Sequence, residues 1–393
     1  MKMNQLFTLL LAIICMINLS CQSAANDQLV ALNPESEANT ESILDDTSGK
    51  SVEMVFCLDA TGSMGGLIAT AKEKIWSIVS EMAQENFVKD LKLGMVFYRD
   101  RGDNFITYPI SMTTDLDSVY SELLLIGAQG GGDSPESVNQ ALHEAITKMR
   151  WNEDKSTYKT IFVVGDCPPH MDYQDDMSYL ESCEIAAEKG ININTIKLGN
   201  SCEEAIPHFQ KMAECSNGNF LQLDQNASDI VIETPYDEEI NEVSRKIDES
   251  RMYYGYQSEK NLNNIKKGKS LDVYNSGSLT SNSDRASYKN SKAGRKAWMG
   301  NKEMIKDYSD STVVLSDLSI DELPDELKDL SKTEQEVLLR KKAAERKTNE
   351  TLLDGLTKKR QGYIINEKEK NTGISSFSNE VIKIMKTQAN TSK

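Results

Sequence analysis

The sequence predicts an α/β fold: a doubly wound, mostly parallel sheet with helices on both faces, followed by a mainly helical, partly flexible C-terminal region. Between residues 51 and 224, short apolar runs typical of buried strands alternate with longer amphipathic runs typical of helices. Such alternation implies a parallel sheet that is covered by helices. After about residue 235 the strand-like runs stop, and a chain of 393 residues with 39% hydrophobic content can form one core and still carry appendages.

The predicted elements follow in a regular order. Residues 52–59 have the apolar run of a buried strand, and residues 67–86 have the periodicity of an amphipathic helix. Residues 92–100 and 105–112 predict two strands that are close enough for an antiparallel hairpin. The remaining elements are a helix near residue 119, a helix over 135–149, a strand over 159–166, a helix over 179–189, a strand over 193–199, a helix around residue 209 and a strand over 219–223.

Composition divides the chain into segments. Residues 257–300 are crowded with Asn, Ser, Lys and Gly and have few apolar residues, which predicts a mobile or loosely packed stretch. Further on, "SKTE" at 331–334 has the spacing of a capping box before a helix. The predicted boundaries are a lipoprotein-type signal peptide over 1–20, a flexible tether over 21–50, the α/β domain over 51–225, a connecting helix over 226–256, the low-complexity segment over 257–300 and a helical region over 301–393.

The N-terminus has the features of an export signal. Lys2 precedes an apolar stretch over residues 6–17 that is too short to span a bilayer comfortably, and small residues follow it. The ending "NLSC" resembles a bacterial lipobox, in which Cys21 would be acylated, although Asn18 stands where an aliphatic residue is usual. We therefore expect an exported protein that is lipid-anchored in a bacterial cell envelope, at the outer membrane or the periplasmic face. Simple secretion and an uncleaved N-terminal anchor remain alternatives.

Charge and cysteine content limit the function classes. The net charge of −17 repels phosphate backbones and anionic lipid, so we expect no nucleic-acid binding and membrane contact only through the N-terminal lipid. Beyond Cys21 the chain has an odd number of cysteines, which requires at least one free thiol. Cys202 and Cys215 flank a predicted helix whose length holds them too far apart to pair with each other.

Polar side chains follow the first predicted strand, at its turn into a helix. Asp59, Thr61 and Ser63 can point their oxygens to one place, and hard oxygen ligands suit Mg²⁺, Mn²⁺ or Ca²⁺. Asp133 follows a run of three glycines, and Asp166 ends another buried strand. Because the carboxyl ends of parallel strands meet at one edge of a sheet, we expect these loops to form a metal site there.

The segments "DATGSM", "GGGDSPE" and "GDCPPH" resemble the von Willebrand factor A domain and its metal-ion-dependent adhesion site, and the resemblance extends over residues 51–225. It implies that Asp59, Thr61 and Ser63 bind the ion directly or through water and that Asp166 is the acid of the third loop. In the family a threonine of the second loop contributes to the site. The second loop of this sequence departs from that pattern, so Asp133 is the predicted ligand there. Ser134 and Glu136 are the alternatives to Asp133 in this loop.

The resemblance implies a function as well as a fold. We expect a non-enzymatic, divalent-cation-dependent module for adhesion or envelope assembly, in which an Asp or Glu carboxylate of a protein partner completes the coordination of the ion. His170 lies near the expected rim and is a candidate for a contact with that partner, although a hydrogen-bonded loop histidine is the favoured interpretation. A binding module requires no nucleophile or general base, and the sequence shows none in a convincing arrangement.

Three other interpretations remain open. "DATGS" resembles the D-K-T-G-T of aspartyl-phosphate enzymes, so a magnesium-dependent phosphatase could use Asp59 as its nucleophile, but Ala60 stands at the lysine position. Alternatively, the protein is an envelope scaffold that binds through its C-terminal helices. Asp59, Thr61 and Ser63 could also merely cap the helix that follows them. A phosphate-binding loop over residues 127–137 is disfavoured because the Gly-Lys-Ser/Thr ending is missing.

Overall fold

The computed structural model describes residues 49–370 and 376–391. Six strands form one sheet in the order β3-β2-β1-β4-β5-β6. The strands are β1 (Lys50–Asp59), β2 (Val88–Tyr98), β3 (Thr107–Thr113), β4 (Tyr158–Gly165), β5 (Ile191–Leu198) and β6 (Phe220–Leu223). All neighbouring strands pair in parallel except β2 and β3, which form an antiparallel pair. The predicted mostly parallel sheet and its hairpin are therefore confirmed.

Helices cover the sheet and continue beyond it. The helices that alternate with the strands are α1 (Gly65–Ala83), α2 (Leu116–Leu125), α3 (Val138–Thr147), α4 (Tyr179–Lys189) and α5 (Ala205–Glu214). The helices that follow β6 are α6 (Asp237–Glu249), α7 (Gln257–Ser276), α8 (Leu279–Asn290), α9 (Lys292–Trp298), α10 (Met304–Ser309), α11 (Asp325–Lys328), α12 (Lys332–Lys370) and α13 (Phe377–Thr391). The predicted helical C-terminal region is thus present.

The two faces of the sheet have separate hydrophobic cores. Along β1, Met54 and Phe56 point into a core that includes residues of α1, α2 and α13. Val55 and Cys57 point to the opposite face and pack with residues of α3, α4 and α5. Successive side chains of a strand alternate between faces, so a strand that is buried on both sides has the continuous apolar run seen in the sequence.

The last helix, α13, packs on the same sheet face as α1, although a long helical region separates it from β6 in the chain. Phe377 and Met385 of α13 are buried in the core of that face. The side chain of Gln388 accepts a hydrogen bond from Tyr158 Oη at 2.7 Å and donates one to Asn194 Oδ1 at 2.8 Å. The α/β unit therefore includes residues far beyond the boundary at 225 that the sequence predicts.

Residues 257–300 form helices α7, α8 and α9 with buried side chains, which corrects the prediction of a loosely packed, low-complexity segment. The Arg285 guanidinium is fully buried and donates to Asp117 Oδ1 at 2.6 Å, while Lys289 Nζ lies 2.6 Å from Asp248 Oδ2. The prediction counted apolar residues, but this segment packs through buried ion pairs whose partners lie on α2 and α6. Arg285 and Lys289 are thus each paired with an acid, as the burial of a charge requires.

Two further predictions concern the start of α12 and the membrane. Ser331 and Glu334 bond to each other at the start of α12, as the capping-box spacing predicts. Among the described residues, no helix is both long and apolar enough to cross a membrane. The signal peptide, the acylation of Cys21 and nearly all of the predicted tether lie outside the described residues.

Candidate metal centre

The first loop of the site begins at the last residue of β1. Asp59 is fully buried, and its Oδ1 accepts hydrogen bonds from the Thr61 backbone N–H at 2.8 Å and from the Thr61 hydroxyl at 2.6 Å. Thr61 Oγ1 lies 3.4 Å from the Oγ of Ser63, whose side chain is exposed. The three predicted residues of this loop therefore form one continuous polar group at the carboxyl edge of the sheet.

Asp166 of the third loop lies beside Asp59. Strands β1 and β4 are neighbours, and a Cβ atom added to Gly165 would lie 3.2 Å from Asp59 Oδ2 and would clash with the Tyr98 hydroxyl. Only glycine permits this approach. One oxygen of Asp166 accepts a hydrogen bond from Gln225 Nε2 at 2.9 Å. The structure thus brings together the predicted acids of the first and third loops.

The glycine run folds the second loop against the first. Gly130 and Gly131 have φ angles of 82° and 85°, in the left-handed region that favours glycine. The Gly62 N–H donates to Gly130 O at 3.0 Å, and a Cβ atom on Gly131 would lie 3.2 Å from the Cβ of Thr61. These glycines allow the two backbones to approach closely, as the sequence predicts.

Glu136 is the side chain of the second loop that faces the two buried aspartates. It is only 4% exposed, and burial raises its pKa to about 9, with further contributions from the charges of Asp59, Asp100 and Asp166. The Glu136 N–H donates to Pro168 O at 2.9 Å, which fixes the second loop against the third. Glu136 was an alternative to Asp133 in the sequence-based prediction, and the structure places it close enough to Asp59 and Asp166 for their charges to raise its pKa.

Asp133, the predicted second-loop ligand, belongs to a different group of side chains. It is exposed, and ligand atoms of Asp133, Asp100 and His170 lie within 4.8 Å of one another. A hydrogen bond shared with Asp100 raises the pKa of Asp133. Asp133 thus lies with Asp100 and His170, in a group whose ligand atoms could hold a metal ion, and its role as the second-loop ligand stays a prediction. Ser134, the other alternative, is also exposed.

His170 holds the third loop in place. Its ring is 4% exposed and stacks on Tyr173 with 3.9 Å between ring centroids. Its Nδ1 lies 2.8 Å from Asp172 Oδ1, and its Nε2 lies 3.2 Å from Asp100 Oδ1. Both ring nitrogens face protein groups, so His170 is a hydrogen-bonded loop histidine, which is the interpretation that the sequence favours over a contact with a partner.

Three buried carboxylate oxygens in this group have no hydrogen-bond partner among the described residues: Asp59 Oδ2, Glu136 Oε2 and Asp166 Oδ1. Burial raises the pKa of Asp59 to about 7, against hydrogen bonds from Thr61 that lower it, and Asp166 raises it further. Unpartnered buried carboxylate oxygens are costly for a protein, and a cation would satisfy them. The donor set of carboxylates and hydroxyls fits Mg²⁺, Mn²⁺ or Ca²⁺.

We expect the cation-free protein to lose stability as the pH rises from about 5 to about 8. The folded-state pKa values of Asp59 and Glu136, about 7 and about 9, lie above the ordinary values of 3.8 and 4.5. Over this window the folded protein therefore retains protons that the unfolded chain has released, so stability falls as pH rises. Thermal melts in chelator measure the slope, and Asp59→Asn should reduce it. An equal dependence of stability on pH in Asp59→Asn and in the parent protein would contradict the raised pKa of Asp59.

Two disulfides are present, one in the third loop of the site and one between α4 and the end of α5. Cys167, which directly follows Asp166, pairs with Cys202 at a Cα–Cα distance of 5.1 Å, and Cys183 pairs with Cys215 at 5.9 Å. Cys57 is the free thiol among the described cysteines and is buried in β1. Cys202 and Cys215 thus have separate partners, as the length of the intervening helix predicts.

The sequence gives no signal for two residues that support the site. Gln225 holds Asp166 from the loop after β6, and the fully buried Lys197 of β5 donates to Gly199 O at 2.9 Å. Burial lowers the pKa of Lys197, while Asp166 raises it. Lys197 lies on β5 and Gln225 follows β6. The order of the strands in the sheet determines how close these two residues come to the site. Glu136 lies two residues before α3, and the sequence left it as an alternative to Asp133.

Residues 53–235 match the family model of the von Willebrand factor A domain. The von Willebrand factor A domain-containing protein 7 of Rattus norvegicus is 38% identical over 127 residues, which are 32% of this chain and 13% of that protein. A putative ariadne-like RING finger protein of Acanthamoeba polyphaga mimivirus is 23% identical over 199 residues, 47% of this chain and 19% of that protein. The chain therefore spans less than a fifth of the length of these relatives.

Among solved structures, the chain is similar to proximal thread matrix protein 1 from the mussel byssus, with a TM-score of 0.35, 11% identity and coverage of 45% of this chain and 43% of that one. It is also similar to the pilus adhesin SpaC from Lactobacillus rhamnosus GG, with a TM-score of 0.33, 11% identity and coverage of 45% and 28%. Likeness at this level shows nothing about the function of the chain, whereas the family match and the six-stranded sheet indicate the same fold. Together they identify the chain as a protein that carries a von Willebrand factor A domain within residues 53–235.

Proposed function

We propose that the protein is a non-enzymatic, divalent-cation-dependent protein-binding module. Asp59, Thr61, Ser63, Glu136 and Asp166 would hold the ion, and the ion would offer a further coordination position to a partner. The observation that carries this proposal is the convergence of three unpartnered, buried carboxylate oxygens at the carboxyl ends of β1 and β4. The von Willebrand factor A domain is a protein-interaction module, which agrees with a protein partner.

A partner carboxylate is the group that we propose completes the coordination. Burial raises the pKa of Glu136 to about 9 in the cation-free protein, so binding of a cation at neutral pH would release that proton. The polar group of the first loop is open to solvent at Ser63, whose side chain is exposed, so a group of a protein partner would reach an ion held there from this side. Asp and Glu side chains are the oxygen ligands that a protein partner offers to Mg²⁺, Mn²⁺ or Ca²⁺.

We also propose that the protein is exported and lipid-anchored through Cys21. The two disulfides support export, since structural disulfides persist in oxidising compartments and are rare in the cytosol. A lipid anchor would place the cation site on a tethered domain at the envelope surface. Replacing Cys21 by serine and following membrane association by fractionation tests the anchor.

The test of the proposed function is capture of partners from envelope extracts by the full chain, with Mg²⁺, Mn²⁺ or Ca²⁺ and with chelator. We expect one or more proteins to be retained with the ion and released by chelator. Replacing the acidic residues of the captured segment by their amides should then abolish retention. Retention that is equal in chelator would instead favour a scaffold that binds through its C-terminal helices.

The enzyme alternative has its own measurement. A phosphatase that uses Asp59 as nucleophile would release phosphate from generic phosphate esters, and Asp59→Asn would abolish that release. We expect the purified protein to release none above background. Release that persists through purification and disappears in Asp59→Asn would replace the binding proposal by a hydrolytic one.

A further inference from the structure

The third loop of the cation site is held at three successive residues. Asp166 accepts a hydrogen bond from the loop after β6, and Pro168 O accepts one from the second loop. Between these two residues, Cys167 is bonded to Cys202. This disulfide is the covalent contact of the three, and it lies one residue from Asp166, whose Oδ1 has no hydrogen-bond partner among the described residues. The place of Asp166 in the site therefore depends on where the disulfide holds the next residue.

Cys202 lies in the segment over residues 199–204, which joins β5 to α5 and is itself firmly held. The fully buried Lys197 donates to the backbone oxygens of Gly199 and Ser201. Cys202 has a φ angle of 50°, in the left-handed region that non-glycine residues seldom adopt unless the surrounding contacts hold them there. The segment is therefore a fixed support to which the disulfide attaches the third loop.

The same segment also supports the hydrogen bond to Asp166. A Cβ atom on Gly199 would clash with the side chain of Gln225, so the Gln225 amide lies directly against the segment. That amide donates to Asp166 Oδ2 at 2.9 Å. The segment thus fixes Asp166 twice, through the packing of Gln225 and through the bond from Cys202 to Cys167.

Asp166 needs such support because the cation-free site contains like charges. Burial raises the pKa of Asp59, and the charge of Asp166 raises it further, so the two acids repel each other when both are ionised. This repulsion favours movement of the third loop away from the first before an ion arrives. A covalent tether one residue from Asp166 opposes that movement, and a ligand that is held in place before binding lowers the entropic cost of coordination.

The other disulfide provides a matched comparison. It joins Cys183 of α4 to Cys215, the residue after α5, and neither residue belongs to the three loops of the cation site. The two disulfides close loops of similar length, with sequence separations of 35 and 32 residues. Because the stabilisation that a disulfide gives through the unfolded state depends on loop length, the two bonds should stabilise the fold by similar amounts. A specific effect on the cation site is expected from the Cys167–Cys202 bond alone.

We propose that the Cys167–Cys202 disulfide positions Asp166 for the divalent cation, so that the affinity of the site for the ion depends on the redox state of this bond. The inference rests on the proposed cation-dependent function, and it makes Cys167 and Cys202 positioning residues. Both are partly exposed, so a dithiol reductant reaches them. The reductant supplies two electrons and two protons: the S–S bond breaks, each cysteine becomes a thiol, and the dithiol becomes a disulfide.

The test compares the full-length parent with two double variants, Cys167→Ser/Cys202→Ser and Cys183→Ser/Cys215→Ser. Thermal melts in chelator should show similar losses of stability in both variants. Calorimetric titration with Mg²⁺, Mn²⁺ and Ca²⁺, at a temperature where all three proteins are folded, should show cation binding on the order of 10–100-fold weaker in the first variant, as for other groups that orient metal ligands. The second variant should bind as the parent does. Equal cation affinity in the two variants would overturn the proposal.

Reduction of the folded parent makes the test independent of whether a variant folds. With a dithiol reductant, the parent and Cys183→Ser/Cys215→Ser should lose affinity for Mg²⁺ and regain it on reoxidation, whereas Cys167→Ser/Cys202→Ser should be unaffected. Unchanged Mg²⁺ affinity in the parent, once alkylation and mass spectrometry show Cys167 and Cys202 as thiols, would contradict the positioning role. An oxidised parent that binds none of the three ions is a different result, because it would refute the proposed function and this inference with it.

Discussion

Asp59→Ala is expected to abolish the stabilisation of the protein by divalent cations and, with it, every cation-dependent capture of a partner. At a hundredfold excess over its Kd, a cation that binds only the folded state stabilises it by about 2.7 kcal/mol. The variant should lose this increment completely. Calorimetric titration with Mg²⁺, Mn²⁺ and Ca²⁺, combined with melts in each ion and in chelator, measures both effects.

The expectation follows from the position of Asp59 in the site. Its Oδ2 atom is buried without a partner, and Gly165 brings it against the third loop, so Asp59 faces both of the other buried acids. Removing this side chain takes away a negative ligand and the acceptor that orients Thr61. In chelator the variant should be at least as stable as the parent near neutral pH, because an unpartnered buried acid is removed.

A pair of further variants locates the second-loop ligand. Glu136→Ala should weaken cation binding strongly, because it removes a buried carboxyl that faces Asp59 and Asp166. Asp133→Ala removes an exposed carboxyl that bonds to Asp100, and it should leave cation affinity nearly unchanged. The reverse order of effects would restore Asp133 as the ligand. If neither Asp59→Ala nor Glu136→Ala loses cation binding, these side chains have only a structural role at the start of a helix.

The sequence was sufficient for those parts of the site that the regular sheet determines. Asp59 and Asp166 end neighbouring parallel strands, so an apolar run followed by an acid places each of them at the same edge. The choice between Asp133 and Glu136 depends on how a glycine-rich loop turns before α3. Two positive φ angles decide that turn, and no periodic pattern encodes which of two nearby acids then faces inward.

The helices beyond β6 show a second limit of sequence reasoning. Residues 257–300 have too few apolar side chains to predict a packed structure, yet Arg285 and Lys289 are buried because Asp117 and Asp248 lie opposite them. Such a pairing joins residues that are far apart in the chain. Hydrophobic periodicity detects an apolar face, but it does not reveal which distant acid meets a buried base.

Removing the chain after residue 370, and with it α13, is expected to destabilise the von Willebrand factor A domain by several kcal/mol. Phe377 and Met385 are 2% and 0% exposed and fill the core between α1 and the sheet. The first turn of α13 is also tied to the loop after β6, where the Ser378 N–H donates to Asp229 Oδ2 at 2.7 Å. Deletion of the helix would expose that apolar sheet face to water.

Point substitutions separate the packing of α13 from the effect of shortening the chain. Phe377→Ala and Met385→Ala should each cost about 2–5 kcal/mol in the free energy of unfolding, measured by urea denaturation, whereas the exposed Lys383→Ala should cost less than about 0.5 kcal/mol. Equal stability of all three variants would show that α13 is dispensable. The expected losses mean that residues 53–235, the extent of the family match, do not contain the complete core of the domain. A fragment that ends near residue 235 lacks α13, the helix that closes one face of the sheet. Because the edge of that sheet holds Asp59 and Asp166, we expect cation and partner binding to require the chain through α13.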